Sequence, residues 1–222
     1  MTTPVRWELL AGLTDQQREA VLATTRPRQF RARDVLFLEG EPGDTLHFVV
    51  SGRVAVRALT PSGENATFAL MGPGQALGEM ALLRKSMTRS ASAYALEDVR
   101  TQALHRDDFF RLCDAQPAVE RVLVSVLAAR VDRLSHHLMD ALYRSVEERV
   151  ARRLLETVRL YPDAGDGLVL PLTQQDIASL AGTTRPTANI VLNDLQALGI
   201  VALSRGKVVI RDLRKLAAHA GS

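Results

Sequence analysis

Thr173-Gln-Gln-Asp-Ile-Ala-Ser-Leu-Ala-Gly-Thr-Thr-Arg-Pro-Thr-Ala-Asn-Ile-Val-Leu-Asn-Asp-Leu195 is the stretch on which the reading of this chain turns. Thr173 with Asp176 three residues later has the form of a capping box, and Ile177, Leu180 and Ala181 give the helix that follows an apolar face. Gly182 accepts the left-handed backbone of a tight turn, and Thr184 can cap a second helix. In that second helix Ala188, Val191, Leu192 and Leu195 recur at i, i+3, i+4 and i+7, so one side faces inward while Arg185, Pro186 and Asn189 face outward near the N-terminus. The pattern predicts a helix-turn-helix whose second helix enters the major groove of DNA. An ordinary helical hairpin with a glycine turn shares these features.

Charge distribution leans toward the DNA reading. The 222-residue chain has a net charge of only +3, with 46% hydrophobic and 24% charged residues, as in a soluble globular protein of one large or two small domains. From Gly182 to Lys215, however, Arg185, Arg205, Lys207, Arg211, Arg214 and Lys215 face only Asp194 and Asp212. That local excess suits a phosphate backbone. The single cysteine, Cys113, excludes an internal disulfide, a Cys-rich zinc site and a cysteine-ligated iron–sulfur cluster, and the five histidines form no H-E-x-x-H pair. No stretch approaches the roughly 18 apolar residues of a membrane span, and no apolar run follows Met1, so a cytoplasmic protein without metal is expected.

Upstream, Thr14 to Gln17 is a further capping box and predicts a helix to about Thr24. From Arg28 to about Leu104 the texture changes. Val35–Leu38, Leu46–Val50, Val54–Val56 and Ala66–Leu70 are short β-rich runs separated by turns at Glu41–Asp44, Ser51-Gly52, Pro61–Gly63 and Gly72–Gly74, which predicts a β-barrel or roll. A short helix is expected around Arg106–Leu112. From Pro117 a long helix follows, in which Val124, Leu127, Val131, Leu134, Leu138 and Ala141 alternate at threes and fours, a heptad seam that predicts parallel dimerisation. The seam yields near Asp140–Glu147 to a new helix from Val146 to about Leu160, a hinge, and Tyr161–Gly167 is a polar link. Beyond the second DNA-facing helix, Gly199–Ile210 reads as two strands joined at Ser204–Lys207, a wing carrying Arg205 and Lys207 near phosphates.

Within the β-rich half, Leu77-Gly-Glu-Met-Ala-Leu-Leu-Arg-Lys-Ser-Met-Thr-Arg-Ser-Ala-Ser92 resembles the phosphate-binding cassette of the cyclic-AMP receptor protein/fumarate–nitrate regulator (Crp/Fnr) family, in its cyclic-AMP receptor branch. Glu39–Asp44 and Val50–Arg53 resemble turns of the same roll, so the resemblance covers nearly the whole chain. A cyclic nucleotide has one phosphate anion and a free ribose hydroxyl, and so needs a multi-donor cation and a carboxylate acceptor at fixed separation. Arg89 can hold the phosphate, with Ser90 and backbone N–H groups adding donors, and Glu79, beside Met80, can accept from the ribose. Gly78 allows close backbone approach.

The resemblance implies an α+β chain with an N-terminal roll (1–116), a dimerisation helix (117–143) and a winged helix-turn-helix (144–222). It implies a homodimeric transcription regulator whose effector is cyclic AMP, whose other partners are palindromic DNA and RNA polymerase, and which is no enzyme. No surface is assigned to the polymerase, because the 161–167 link carries no match to the family contact. In the family, two adjacent polar residues of the long helix reach the adenine; here they are Leu134 and Ser135. Leu134 cannot hydrogen-bond a base edge, so base identity is open, and Leu134 could instead tighten the seam in a regulator that needs no cyclic nucleotide. His136 and His137 invite a haem reading, but no ligand set surrounds them. For DNA, the family reads TGTGA half-sites through an Arg, a Glu and a further Arg; the positions here hold Arg185, Pro186 and Asn189, with Thr173, Thr184 and Thr187 completing the DNA-facing set. Arg185 can pair bidentately with guanine, Pro186 can make only apolar contact, and Asn189 suits adenine or a phosphate. An enzyme would need a constellation the chain lacks: no P-loop surrounds Gly206-Lys207, and no serine elbow or metal motif occurs.

Overall fold

The computed structural model describes residues 7, 10, 12–60, 63, 65–83, 87–161 and 164–221. Pro61 and Ser62 of the expected turn, Arg84, Lys85 and Ser86 of the cassette, and Pro162 and Asp163 of the link lie outside the described residues. Contacts divide the chain into two units, Met1–Val56 with Met71–Leu134, and Arg57–Leu70 with Ser135–Ser222.

The first unit opens with α1 (Asp15–Ala23), whose capping box is made by Thr14 and Gln17. Two antiparallel four-stranded sheets follow. One runs in the order β1 (Arg26–Phe30), β8 (Val99–His105), β3 (Thr45–Ser51), β6 (Ala76–Leu77). The other runs β2 (Val35–Phe37), β7 (Ser92–Ala95), β4 (Val54–Leu59), β5 (Asn65–Met71), with β4 and β5 continuing into the second unit. Strand alternation sorts β3 into two faces. Leu46 and Phe48 join Leu104, Trp7 and Phe109 in the core, the rings of Trp7 and Phe48 meeting edge to face at 5.5 Å. Thr45 and His47 point the other way, toward the side of the sheet that carries the candidate cassette contacts.

His47 is buried there. Its Nδ1 lies 3.1 Å from Thr101 Oγ1, and its ring lies 6.1 Å from those of both Phe30 and Phe37. Burial, helped by the positive fields of Arg89 and Arg28, lowers its pKa from 6.5 to about 4. It is a neutral imidazole in the folded protein at neutral pH.

After α3 (Arg106–Ala115), α4 runs from Pro117 to Tyr143. Its first turns are embedded in the roll: Val119 and Leu123 are core residues, and Leu127 packs partly against them. Residues 119, 123 and 127 follow each other at i+4 and form a stripe toward the roll, so Leu127 belongs as much to the core as to the outer face. Val124, Val131, Leu134 and Leu138 remain 61%, 60%, 56% and 60% exposed, and Ala141 is exposed with them. That stripe is apolar and uncovered within one chain.

In the second unit Ser145 and Glu148 form the capping box that starts α5 (Val146–Val158) just after α4 ends. The carboxylate of Asp140, on the last turns of α4, is buried and accepts from Arg144 Nε, Arg152 Nε and Arg153 Nη2 at 3.0, 3.2 and 2.8 Å. Arg153 also reaches Glu156 at 2.5 and 2.6 Å, and His137 Nε2 lies 3.3 Å from Glu156 Oε2. Burial pushes the Glu156 carboxyl up, but the bonds from His137 and Arg153 outweigh it and hold the pKa at about 2. The remainder is α6 (Gln174–Leu180), α7 (Arg185–Ala197), the hairpin β10 (Val201–Ser204) and β11 (Lys207–Ile210), and α8 (Leu213–His219). The hairpin turns at Arg205-Gly206, where Gly206 takes φ +74°. A third strand, β9 (Val169–Leu170), pairs with β11; at two residues it is too short to show in the sequence pattern.

The low pKa of His47 makes a stability prediction. Unfolding restores the ordinary pKa, so between about 6.5 and about 4 the unfolded chain binds the extra proton and folding stability falls as pH falls. Urea unfolding of the first unit should show a loss of about 1.4 kcal/mol per pH unit in that window from this group. His47→Gln should flatten the slope by that amount; equal slopes for both proteins would refute the assignment.

Candidate functional site

The cassette is built around a guanidinium taken out of water. Arg89 is only 5% exposed. Its Nη1 donates to the Thr45 carbonyl at 2.8 Å and the Gly78 carbonyl at 3.2 Å, its Nη2 donates to Thr45 Oγ1 at 2.8 Å, and its Cζ sits 4.1 Å above the Phe37 ring. Burial lowers its pKa, against the opposing fields of Asp44, Glu41 and Glu79. Two glycines make the room. A Cβ on Gly78, which has φ +93°, would stand 2.5 Å from Arg89 Nη1, and one on Gly43 would stand 2.9 Å from Arg89 Cδ and Nε. Arg89 Nε is buried without a hydrogen-bond partner among the described residues.

Glu79 starts α2 (Glu79–Leu83) and is 4% exposed. Its Oε1 accepts from Arg130 Nη1 of α4, and Arg130 Nη2 donates to the Ala76 carbonyl at 3.4 Å. Its Oε2 is buried without a partner. A cationic donor and a carboxylate acceptor thus each keep one unsatisfied atom, where buried polar groups are ordinarily paired. That residue chemistry fits a ligand with an anionic phosphodiester and a free hydroxyl. Met80 and Ser90 are half-buried beside Glu79 and Arg89 in the chain. Leu134 is 56% exposed and Ser135 is exposed on α4, and neither enters the hydrogen bonds of the cassette among the described residues. The α4 side chain that does is Arg130, which no motif singled out. On the Thr45 and His47 side of the sheet a cavity of about 710 Å³ opens, lined by Arg28, Asp44, His105 and Arg111 among others.

In the second unit Thr173 Oγ1 accepts from the Asp176 backbone N–H at 3.1 Å, and Asp176 Oδ2 accepts from the N–H and the hydroxyl of Thr173 at 2.9 and 2.6 Å. Asp176 is more than a cap. Its Oδ1 accepts from Thr67 Oγ1 at 2.7 Å and from Arg57 Nη2 at 3.0 Å, both on the β4–β5 arm. Burial raises the Asp176 carboxyl, but the bonds from Thr173 and Thr67 and the charge of Arg57 prevail and hold it below the usual range. Gly182 turns the chain at φ +61°, and Thr184 caps α7 by accepting from Thr187 N at 3.4 Å.

Ala188, Val191, Leu192 and Leu195 are all buried, as their spacing requires. Arg185 and Pro186 are exposed, Pro186 lying in the first turn where a missing N–H costs little. Arg185, and Arg205 and Lys207 at the wing, form no ion pair among the described residues. Asn189 stands apart from the other outward residues: it is half-buried and its Oδ1 accepts from Gln174 Nε2 at 2.7 Å. The residue beside it that does face solvent is Ile190, 63% exposed. No group of three or more residues suited to a metal occurs among the described residues, and no helix there is long and apolar enough to cross a membrane.

Known proteins align with both halves. The family model for the cyclic nucleotide-binding domain matches residues 27–116, and that for the Crp-like helix-turn-helix domain matches 148–219. The chain is 34% identical over 204 residues to the cyclic AMP receptor protein of Thermus thermophilus, covering 92% of each. It is 30% identical over 215 residues to the CRP-like cAMP-activated global transcriptional regulator of Mycobacterium tuberculosis, covering 96% of each. Among solved structures, the c-di-GMP-responsive global regulator CLP of Xanthomonas campestris superposes with a TM-score of 0.72 at 25% identity, over 89% of this chain and 99% of that one.

The Arg130–Glu79 pair can be tested by its asymmetry. Arg130→Met should lower unfolding free energy by about 3 kcal/mol, because it leaves a buried carboxylate uncompensated. Adding Glu79→Gln should restore much of the loss. Denaturant unfolding of the two variants decides it, and a neutral Arg130→Met would show that the pair does not matter to the fold.

Proposed function

The chain belongs to the Crp/Fnr family of DNA-binding transcription regulators with a cyclic-nucleotide-binding domain, and we propose that cyclic AMP is the effector its cassette takes. The observation that carries the reading is the buried pair of unsatisfied atoms, Arg89 Nε and Glu79 Oε2, on a cation and a carboxylate held by fixed partners. A cyclic phosphate supplies the anion for Arg89, and a ribose hydroxyl supplies the donor for Glu79. Ser90 and Met80 complete the cassette, and Leu134 and Ser135 would meet the base. A different cyclic nucleotide is the second reading, favoured by two observations: Leu134 has no hydrogen-bonding group to offer an adenine edge, and a structural relative, CLP, is a c-di-GMP-responsive regulator.

In this function residues 1–116 sense the effector, 117–143 pair two copies through the exposed stripe of Val124, Val131, Leu134, Leu138 and Ala141, and 144–222 bind palindromic DNA. Leu127, half-buried, would join that stripe while also packing against the roll. RNA polymerase would be the further partner of such a regulator. Arg185 would read a guanine in each half-site, with half-sites about 10 to 10.5 bp apart centre to centre, and Thr173, Thr184, Thr187, Asn189, Arg205 and Lys207 would support it at the backbone. Thr173 and Asn189 are already engaged by Asp176 and Gln174, so Arg185 and the wing cations would contribute most. Effector and DNA then couple reciprocally, each tightening the other by the same factor.

Cyclic AMP at about 100 times its dissociation constant should add roughly 2.7 kcal/mol to apparent stability, seen as a rise in melting temperature, and Arg89→Leu should abolish it. A wild-type protein that binds c-di-GMP but not cyclic AMP would transfer the site to the second reading. One that binds neither yet reads DNA specifically would be the effector-independent regulator.

For assembly, Val131→Asp with Leu138→Asp places charges on the exposed stripe and leaves the roll core untouched. Sedimentation should show a wild-type dimer and a monomeric or aggregated variant; a wild-type monomer at micromolar concentration would sink the assignment.

A further inference from the structure

The outward face of α7 carries an apolar pair where a DNA-reading helix ordinarily carries polar side chains. Pro186 is exposed in the first turn, and Ile190, one turn on at i+4, is 63% exposed although the opposite face of the helix is packed to completion. Residues four apart on a helix stand over one another on the same side, about 6 Å apart along the axis. Asn189, the polar side chain between them in the chain, is turned aside to Gln174 and half-buried. Arg185 flanks the pair as an exposed cation that forms no ion pair among the described residues.

Resting on the DNA-reading function above, we infer that Pro186 and Ile190 form a second specificity element that recognises thymine methyl groups. The chemistry is restrictive. Neither side chain has a donor or an acceptor, so neither can read the hydrogen-bonding edge of any base pair. In the major groove the apolar feature of a base pair is the C5-methyl of thymine, and apolar contact with it is an established mode of readout. A branched Ile placed against that methyl buries carbon on both sides, whereas against the polar edge of G·C it would cover donors and acceptors without replacing their water. An axial span of about 6 Å is a little under two base-pair steps of about 3.4 Å, so the pair reaches thymines on neighbouring or next-neighbouring steps. Arg185 therefore supplies the guanine of a half-site, and Pro186 and Ile190 supply its adjoining thymines.

The test removes the methyl alone. A site is selected from random duplexes with the full-length protein, and each thymine of a half-site is then replaced in turn by deoxyuracil, which pairs identically but lacks the methyl. Wild type should lose about fourfold in affinity at one or two positions per half-site, the worth of burying one carbon. Ile190→Ser should bind thymine and uracil versions of one such position equally, and Ile190→Val should keep part of the discrimination. An unchanged melting temperature is expected of both variants because the site is exposed. If wild type selects a specific site yet tolerates uracil at every position, or if Ile190→Ser discriminates as wild type does, the methyl reading is overturned and the DNA-reading function stands. If no sequence is selected at all, both fall.

Discussion

A guanidinium held out of water sets the terms for the first unit. A buried arginine cannot lose its proton under ordinary conditions, so the surroundings must supply acceptors or opposite charge. Thr45 gives two oxygens and Gly78 one, Phe37 lends its ring face, and the absence of a Cβ at Gly43 and Gly78 lets the group fit. His47, two residues from Thr45, is kept neutral first by its burial and then by the charge of Arg89. Arg89 Nε and Glu79 Oε2 are left over. Buried polar atoms are ordinarily paired, and these two, without a partner among the described residues, are what the proposed ligand would satisfy.

The second unit repeats the strategy with the opposite sign. Asp140 gathers three arginines where α4 gives way to α5, and Asp176 gathers Thr173, Thr67 and Arg57 at the start of α6. Each carboxylate is buried, and each is compensated by several donors rather than one, the condition under which a buried charge persists. Asp140 ties the last turns of α4 to the first turns of α5. Asp176 ties the first helix of the helix-turn-helix to the β4–β5 arm, so the DNA-facing pair is braced by a strand hairpin far away in the chain.

On α7 the division of labour is between packing and recognition. Four small or branched apolar residues anchor it, a threonine caps it, and Pro186 occupies the one turn where it does no harm. The outward residues are consequently free to differ without cost to the fold, which is why an apolar pair can stand where other chemistry would also fold.

What the sequence determined by itself was everything that closes within a few residues. The boxes at Thr14–Gln17, Ser145–Glu148 and Thr173–Asp176 join residues three apart, Gly182 and Gly206 supply positive φ at turns, and the inward face of α7 follows from helical spacing. Such features are dictated by local geometry and so are legible without a fold. The roll, the long helix and the winged domain were expected from chaining such local signals together, while the family was named from the resemblance of the 77–92 stretch. Tertiary structure alone decided the partners. Glu79 meets Arg130 across 51 residues, Arg89 meets Thr45 across 44, and Asp176 meets Thr67 and Arg57 across 109 and 119. An arginine carries no mark saying which distant carboxylate it will meet. The same holds for Leu127, whose heptad position says nothing of the roll core it also packs against. It holds also for Asn189 and Ile190, neighbours of which the first is drawn aside by one hydrogen bond from Gln174 and the second is left exposed. Periodicity assigns a residue to a face of its own helix; only the neighbours that the fold brings there decide whether that face meets core, partner or solvent.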